Sequence, residues 1–95
     1  MIYVSLRSFL KKFDDYNKKE QAMILLAVEK IKNYLETNNA AYGLRVKQLS
    51  PRIYEARINI HLRIAYFREN DVVKFFCLGN HADISHCLNN IARVS

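Results

Sequence analysis

The sequence predicts an α+β fold in which an N-terminal strand and a two-helix hairpin precede an antiparallel sheet and a short C-terminal helix. Apolar residues recur at helical spacing between residues 17 and 38, and they alternate with polar residues from Leu44 onward. The links between the predicted strands are short, which makes neighbouring strands antiparallel. The 95 residues are 51% hydrophobic with only two glycines and one proline. This composition excludes disorder and collagen-like repeats, so a single domain over residues 1–95 is expected.

The N-terminal half is predicted to form one strand followed by two helices. Met1–Leu6 is β-branched and aromatic, which is typical of a strand. Ser8 is expected to cap a short first helix. Asn17 and Glu20 have the spacing of a capping box, so a longer helix is expected to begin there and to end at Asn38. The expected buried face of this helix consists of Ile24, Ala27, Val28, Ile31 and Leu35.

Four further strands and a last helix are predicted in the C-terminal half. The helix pair is expected to cover one face of the curved sheet and to leave the other face open to a ligand. The predicted strands are Leu44–Leu49, Ile53–Ile58, Leu62–Arg68 and Val72–Leu78, and the predicted helix is Ala82–Ala92.

Positive charge is concentrated in one part of the chain. The protein has 15 Lys and Arg against 9 Asp and Glu, a net charge of +6. Residues 44–68 hold most of this excess, because they contain a single acid, Glu55. Such a local field attracts polyanions, most commonly nucleic acid. The alternative is a solvated strand face that meets an acidic partner protein. The bases of this segment are Arg45, Lys47, Arg52, Arg57, Arg63 and Arg68.

The register of the central hairpin predicts an arginine pair. A loop centred on Ile60 places Arg57 opposite Arg63, on the sheet face that the helices leave open. Like charges directly opposite each other are destabilising unless an anion lies between them, and two guanidinium groups are suited to a phosphate. The alternative is a surface ion-pair lattice, because Glu55 lies diagonal to Arg63.

His81 is the other candidate for chemistry. It follows Gly79 and Asn80 where the last strand meets the last helix, and its neighbours are polar. Imidazole exchanges protons near neutral pH, so His81 is a candidate general acid or base. The alternative is an exposed histidine without a function. His61 in the hairpin loop and His86 in the last helix rank below it.

The two cysteines are interpreted as small buried hydrophobic residues without a disulfide, which is typical of a protein in the reducing cytoplasm. Together with His81 and His86, Cys77 and Cys87 could suggest a metal site. Their spacing matches none of the paired zinc patterns, and no metal is predicted. No apolar run approaches the roughly 20 residues of a membrane span, so no membrane contact is expected.

Four segments resemble a known family in the same order along the chain. They are Gly43–Leu49 (Gly-Leu-Arg-Val-Lys-Gln-Leu), Ile53–Ile58 (Ile-Tyr-Glu-Ala-Arg-Ile), Leu62–Tyr66 (Leu-Arg-Ile-Ala-Tyr) and Leu78–Ile84 (Leu-Gly-Asn-His-Ala-Asp-Ile). They are similar to strands and to the Gly-x-His ending of the RelE/ParE superfamily, the bacterial toxins of toxin–antitoxin pairs. The ending is nearest to the YafQ-like and HigB-like branches.

The resemblance implies a ribosome-dependent messenger-RNA endonuclease that needs no metal or other cofactor. In such enzymes the substrate's 2′-hydroxyl attacks the adjacent phosphate. His81 would supply the acid or base, and Arg57 with Arg63 would stabilise the phosphorane. Lys47 matches a basic position of the family, and His61 falls in a loop where some members place a catalytic acidic residue. The implied partners are a cognate antitoxin, the ribosome with its messenger, and operator DNA only through the antitoxin.

One departure from the family leaves two other functions open. Members with the histidine ending usually follow it with Tyr or Phe near a messenger base, whereas no aromatic residue follows His81 here. Base stacking is then expected from Phe67, beside RNA contacts from Arg45, Lys47 and Arg52. The alternatives are a ParE-like inhibitor of DNA gyrase and a weakened homologue that acts mainly as an antitoxin-binding co-repressor.

Overall fold

The computed structural model describes residues 1–39 and 43–94. Within these ranges it confirms an α+β fold, with three helices and one five-stranded sheet. No helix in this part of the chain is both long and apolar enough to cross a bilayer. The elements are β1 (Ile2–Ser5), α1 (Arg7–Asp14), α2 (Lys18–Thr37), β2 (Arg45–Ser50), β3 (Ile53–Arg57), β4 (Arg63–Glu69), β5 (Val72–Gly79) and α3 (His81–Val94).

The sheet is mixed, which corrects the expectation of an antiparallel sheet. Its strand order is β1-β5-β4-β3-β2, and β2 to β5 form the antiparallel meander that the short links predict. β1 instead pairs in parallel with β5, with Ile2 opposite Val72 and Ser5 opposite Phe75. Both helices separate β1 from the meander along the chain, so no hairpin link dictates the direction in which it pairs.

α2 begins and ends as its sequence predicts. The Asn17 Oδ1 accepts a hydrogen bond from the Glu20 N–H at 2.8 Å, and the Glu20 carboxylate accepts one from the Asn17 N–H. At the other end Asn38 adopts a left-handed conformation with φ 61°, and its N–H donates to the Tyr34 carbonyl. Asparagine tolerates this conformation, which ends the helix. Ile24, Ala27 and Ile31 form the buried face, as expected.

Ser8 does not cap α1. The helix begins after Leu6, which makes no side-chain cap, and Ser8 already lies inside the first turn. The Ser8 hydroxyl donates instead to the Phe76 carbonyl at 2.7 Å. This bond joins α1 to β5 just beyond the end of β1. Ser8 therefore helps to hold the helix against the sheet and does not cap its first turn.

Apolar clusters lie on both faces of the sheet, and this corrects the expectation that one face is open. Residues of α1 and α2 pack on the first face. α3 covers the β4–β5 part of the second face, because its apolar stripe also has to be buried and Ala65 leaves room for it. The first cluster includes Phe9, Ile24, Ile31, Ile64, Tyr66 and Phe75, and the second includes Ile53, Ala65, Phe76, Cys77 and Ile84.

Cys77 and Cys87 form a disulfide, so the interpretation of two unlinked cysteines is wrong. Their Cα atoms are 6.5 Å apart, and their positions differ by 10 in the sequence. Cys77 points from β5 toward α3, and Cys87 lies on α3 one turn beyond the buried Ile84. The packing of α3 on the second face therefore brings the two sulfur atoms together.

The buried face of α2 makes a testable prediction. Ile24→Asp should lower the free energy of unfolding by at least about 4 kcal/mol, because it places an unpaired carboxylate in an apolar cluster. The adjacent Leu25→Asp should change it by about 0.5 kcal/mol or less, because Ile24 is 0% exposed and Leu25 is 56% exposed. Urea unfolding followed by circular dichroism measures both values. Equal losses would show that α2 packs through a different face.

Candidate functional site

Three arginines line up across three strands at one end of the sheet. Arg45 of β2 lies opposite Arg57 of β3, and Arg57 lies opposite Arg63 of β4. The predicted register of the central hairpin is therefore confirmed. Gly79, the last residue of β5, is the next neighbour, opposite Arg63. Arg45, Arg57 and Arg63 are called the arginine row below.

A buried carboxylate holds one member of the arginine row. The Arg63 Nη1 donates to the Glu55 Oε1 at 2.6 Å, and the Glu55 side chain is only 6% exposed. The ion pair that the sequence offered as an alternative is thus present, although it is buried rather than part of a surface lattice. Arg63 is fixed in place, and its Nε is buried without a hydrogen-bond partner in the described residues.

The three cations beside Arg63 lack a carboxylate partner of this kind in the part of the chain that the structure describes. Within residues 1–39 and 43–91, no carboxylate lies within 4.0 Å of the side-chain nitrogens of Arg45, Lys47 or Arg57. These three residues, Arg63 and Glu55 line a surface pocket of about 150 Å³, called the basic pocket below. Four cations surround one carboxylate, so the basic pocket has an excess of positive charge and suits an anion such as phosphate.

His81 is placed by a cap at the start of α3. The Asp83 N–H donates to the Asn80 Oδ1 at 2.9 Å, and the Asn80 N–H donates to the Asp83 Oδ2 at 2.9 Å. Gly79 lets the Asp83 side chain come close, because a Cβ on Gly79 would lie 2.5 Å from the Asp83 Cβ. His81 is consequently the exposed first residue of α3, two positions beyond the partner of Arg63.

This arrangement confirms the predicted strand-to-helix junction and adds residues that the sequence reasoning missed. Asn80 and Asp83 have the spacing of a capping box, which is the signal that could have identified them as the residues that position His81.

His61 borders the same end of the sheet. It lies in the loop that joins β3 to β4, between Arg57 and Arg63, and its side chain is exposed. Its backbone N–H donates to the Asn59 Oδ1 at 2.8 Å, which shapes the loop. In the described part of the chain, no hydrogen bond links either imidazole to the arginine row. Both histidines therefore face solvent beside the row.

Two other sequence candidates lie away from the basic pocket. Arg52 is in the turn between β2 and β3, about 17 Å along the strand from Arg57, and it pairs with Glu69 at 3.2 Å. Phe67 packs with its ring centroid 4.4 Å from that of Phe76, in the cluster beneath α3. An irregularity in the β4–β5 pairing adds Phe76 to this face, where it meets Phe67.

Among the residues that the structure describes, the shifted pKa values belong to tyrosines outside the basic pocket. Burial is the main cause that raises the pKa of Tyr66, and burial followed by the negative charge of Glu36 raises that of Tyr3. Burial and the charge of Asp83 raise the pKa of Tyr16. These hydroxyls stay protonated at neutral pH, so they are poor proton carriers there and the histidines remain the candidates for acid–base chemistry.

Comparison of the chain with protein-family models, with curated proteins and with solved structures finds no match. The chemistry of the basic pocket and its bordering histidines is therefore the basis for assigning a function. Guanidinium groups can bind a phosphate and stabilise charge that develops on it, and an exposed imidazole can transfer a proton.

The Glu55–Arg63 pair makes a prediction for stability. Glu55→Gln should lower the free energy of unfolding by about 3 kcal/mol, because it leaves Arg63 without its counter-charge in a partly buried position. Urea unfolding at neutral pH measures the loss. Glu69→Gln is the matched control: it breaks the exposed pair with Arg52 and should cost about 0.5 kcal/mol or less. If both variants lose the same small amount, Glu55 does not support the arginine row.

Proposed function

We propose that the chain is a toxin of the RelE/ParE superfamily that cleaves messenger RNA on the ribosome without a metal. The supporting observation is the arginine row, in which Arg45 and Arg57 have no carboxylate partner among the described residues. The row lies at the end of the sheet where α3 begins at His81. A surface that only had to be solvated would have no need to align like charges across three strands, because this alignment is destabilising without an anion.

The proposed reaction is an attack of the messenger's own 2′-hydroxyl on the adjacent phosphate. The hydroxyl loses its proton, the new P–O bond closes a cyclic phosphate, and the bond to the 5′-oxygen breaks as that oxygen gains a proton. His81 carries one of these protons. The guanidinium of Arg57 stabilises the negative charge of the phosphorane, and Arg63 adds its charge from the position that Glu55 fixes.

Binding of the polyanion is assigned to the rest of the basic pocket. Arg45 and Lys47 lie on β2, the edge strand of the sheet, with side chains that are exposed and available to the messenger backbone. His61 flanks the same end from the β3–β4 loop. The same positive surface suits an acidic segment of a cognate antitoxin that folds on binding. The antitoxin would also connect the protein to operator DNA. The proposed compartment is the cytoplasm, because the proposed target is the ribosome.

A second candidate is a weakened homologue that acts through antitoxin binding. It is favoured by the position of Phe67, which packs against Phe76 and does not line the basic pocket, where a stacking partner for a messenger base would be needed. No aromatic residue follows His81 to replace it. A protein of this kind would keep the basic pocket but cleave messenger slowly or not at all.

The location of the RNA contacts can be tested with two arginine variants. Arg45→Ala should weaken binding of a single-stranded RNA about tenfold at low salt and should lower the salt dependence of the logarithm of the affinity by about one unit, because one phosphate contact is lost. Arg52→Ala removes the same charge at the opposite end of the sheet and should leave both quantities near the wild-type values. Fluorescence anisotropy over a salt series measures them. Equal losses would mean that the charge acts without a defined site.

The role of His81 can be tested by cleavage. His81→Ala should slow messenger cleavage on programmed ribosomes about 100- to 10,000-fold, because a proton carrier is lost. His86→Ala removes another exposed histidine of α3 and should retain the wild-type rate. Mapping of messenger 5′ ends measures cleavage, and circular dichroism checks the fold. Wild-type cleavage by the His81→Ala variant would disprove the catalytic role. Inhibition of gyrase supercoiling without cleavage would instead identify a ParE-like inhibitor.

A further inference from the structure

The Cys77–Cys87 disulfide spans the junction that positions His81. Cys77 lies on β5 two residues before Gly79, and Cys87 lies in the second turn of α3. The loop that the bond closes therefore contains Asn80 and Asp83, the two residues of the helix cap. The bond therefore joins β5 directly to α3 across this cap.

A surface pocket gives solvent access to the disulfide. The pocket has a volume of about 180 Å³, and its lining includes both cysteines together with Ser8, Lys12 and His86. Cys87 is partly exposed, whereas Cys77 is 3% exposed. An incoming thiolate can therefore reach the Cys87 sulfur more easily, and access decides which sulfur is attacked.

We propose that Cys77–Cys87 is a thiol-exchange site at which a dithiol reductant opens the disulfide and thereby loosens α3 over residues 81–91. A thiolate of the reductant attacks the Cys87 sulfur, and the Cys77 sulfur leaves as a thiolate and takes up a proton. The second thiol of the reductant then attacks the mixed disulfide and releases Cys87, which is protonated in turn. Two electrons and two protons pass from the dithiol to the protein, and the reductant becomes a disulfide.

The reduced form keeps its fold, because other contacts hold α3. Ile84 stays buried in the second cluster, the Asn80–Asp83 cap remains, and Lys12 lies 4.0 Å from the Asp83 carboxylate. The Cys77 sulfur is 3.6 Å from the Asp83 carbonyl oxygen, so the released thiol can donate a hydrogen bond there. Reduction thus removes one covalent constraint from a helix that is otherwise held only by packing and polar contacts, and its local opening becomes more frequent.

This step rests on the cytoplasmic location of the proposed function: disulfides within reducing compartments are mostly transient and redox-sensing, so the bond is there suited to exchange rather than to permanent bracing. The state of the bond and the opening of α3 can be measured without RNA, so a protein without nuclease activity serves equally well.

The experiment compares the oxidised full chain with the same protein treated with dithiothreitol. Alkylation followed by mass spectrometry should find both cysteines blocked before treatment and both alkylated after it. Amide hydrogen exchange over residues 81–91 should become about tenfold faster on reduction, because the loop constraint is lost. Exchange in α2 should stay unchanged, which separates local opening from general destabilisation.

Cys87→Ser provides the matched variant. It should show the fast exchange of the reduced protein with and without dithiothreitol. The proposal is overturned if both cysteines are already free in the oxidised protein, if dithiothreitol leaves the bond intact, or if exchange over residues 81–91 is the same in both states. The wild-type comparison decides the matter by itself if the variant fails to fold.

Discussion

The ion pair between Glu55 and Arg63 is the interaction on which the candidate site depends. The pairing of β2, β3 and β4 forces three arginines into one row, and neighbouring like charges raise the free energy of the folded state. Glu55 lies one row further into the sheet, opposite Ala65, whose small side chain leaves space for Arg63 to reach it. One buried carboxylate thus offsets the charge of Arg63, and Arg45, Lys47 and Arg57 are left to solvent or to an anion.

Local interactions explain why part of this arrangement could be predicted from the sequence. A short loop and the alternation of apolar and polar residues fix the β3–β4 register, so the Arg57–Arg63 pair follows from residues close together in the chain. The bounds of α2 likewise follow from its own caps. The parallel pairing of β1, the position of α3 and the disulfide all join distant segments. Sequence periodicity shows that α3 has an apolar stripe, but it does not show which surface the stripe covers.

The contrast between local interactions and contacts of distant segments also applies to the individual site residues. Arg52 belongs to the basic segment by composition, yet a strand of five residues carries it to the opposite end of the sheet. The alternation rule assigned Phe67 to the correct face, but its ring packs against Phe76 and lies four residues along β4 from Arg63, away from the basic pocket. Charge clustering along the chain therefore identified the basic face, whereas only the tertiary packing shows which of its residues share one pocket.

The second face of the sheet has an apolar part under α3 and a charged part at the arginine row, and packing holds the backbone of both. Toward α3 the face is apolar and closed by Ala65 and Ile84, whereas the arginine row lies at its outer end. On the opposite face of the same strands, Ile64 and Tyr66 are fully buried against the helices, so packing holds the backbone of β4 in place. That packing is independent of the charges, so it sets the backbone positions of the arginine row before an anion arrives, and Glu55 also holds the guanidinium of Arg63. A cation that is already held avoids the cost of being ordered at the moment of binding.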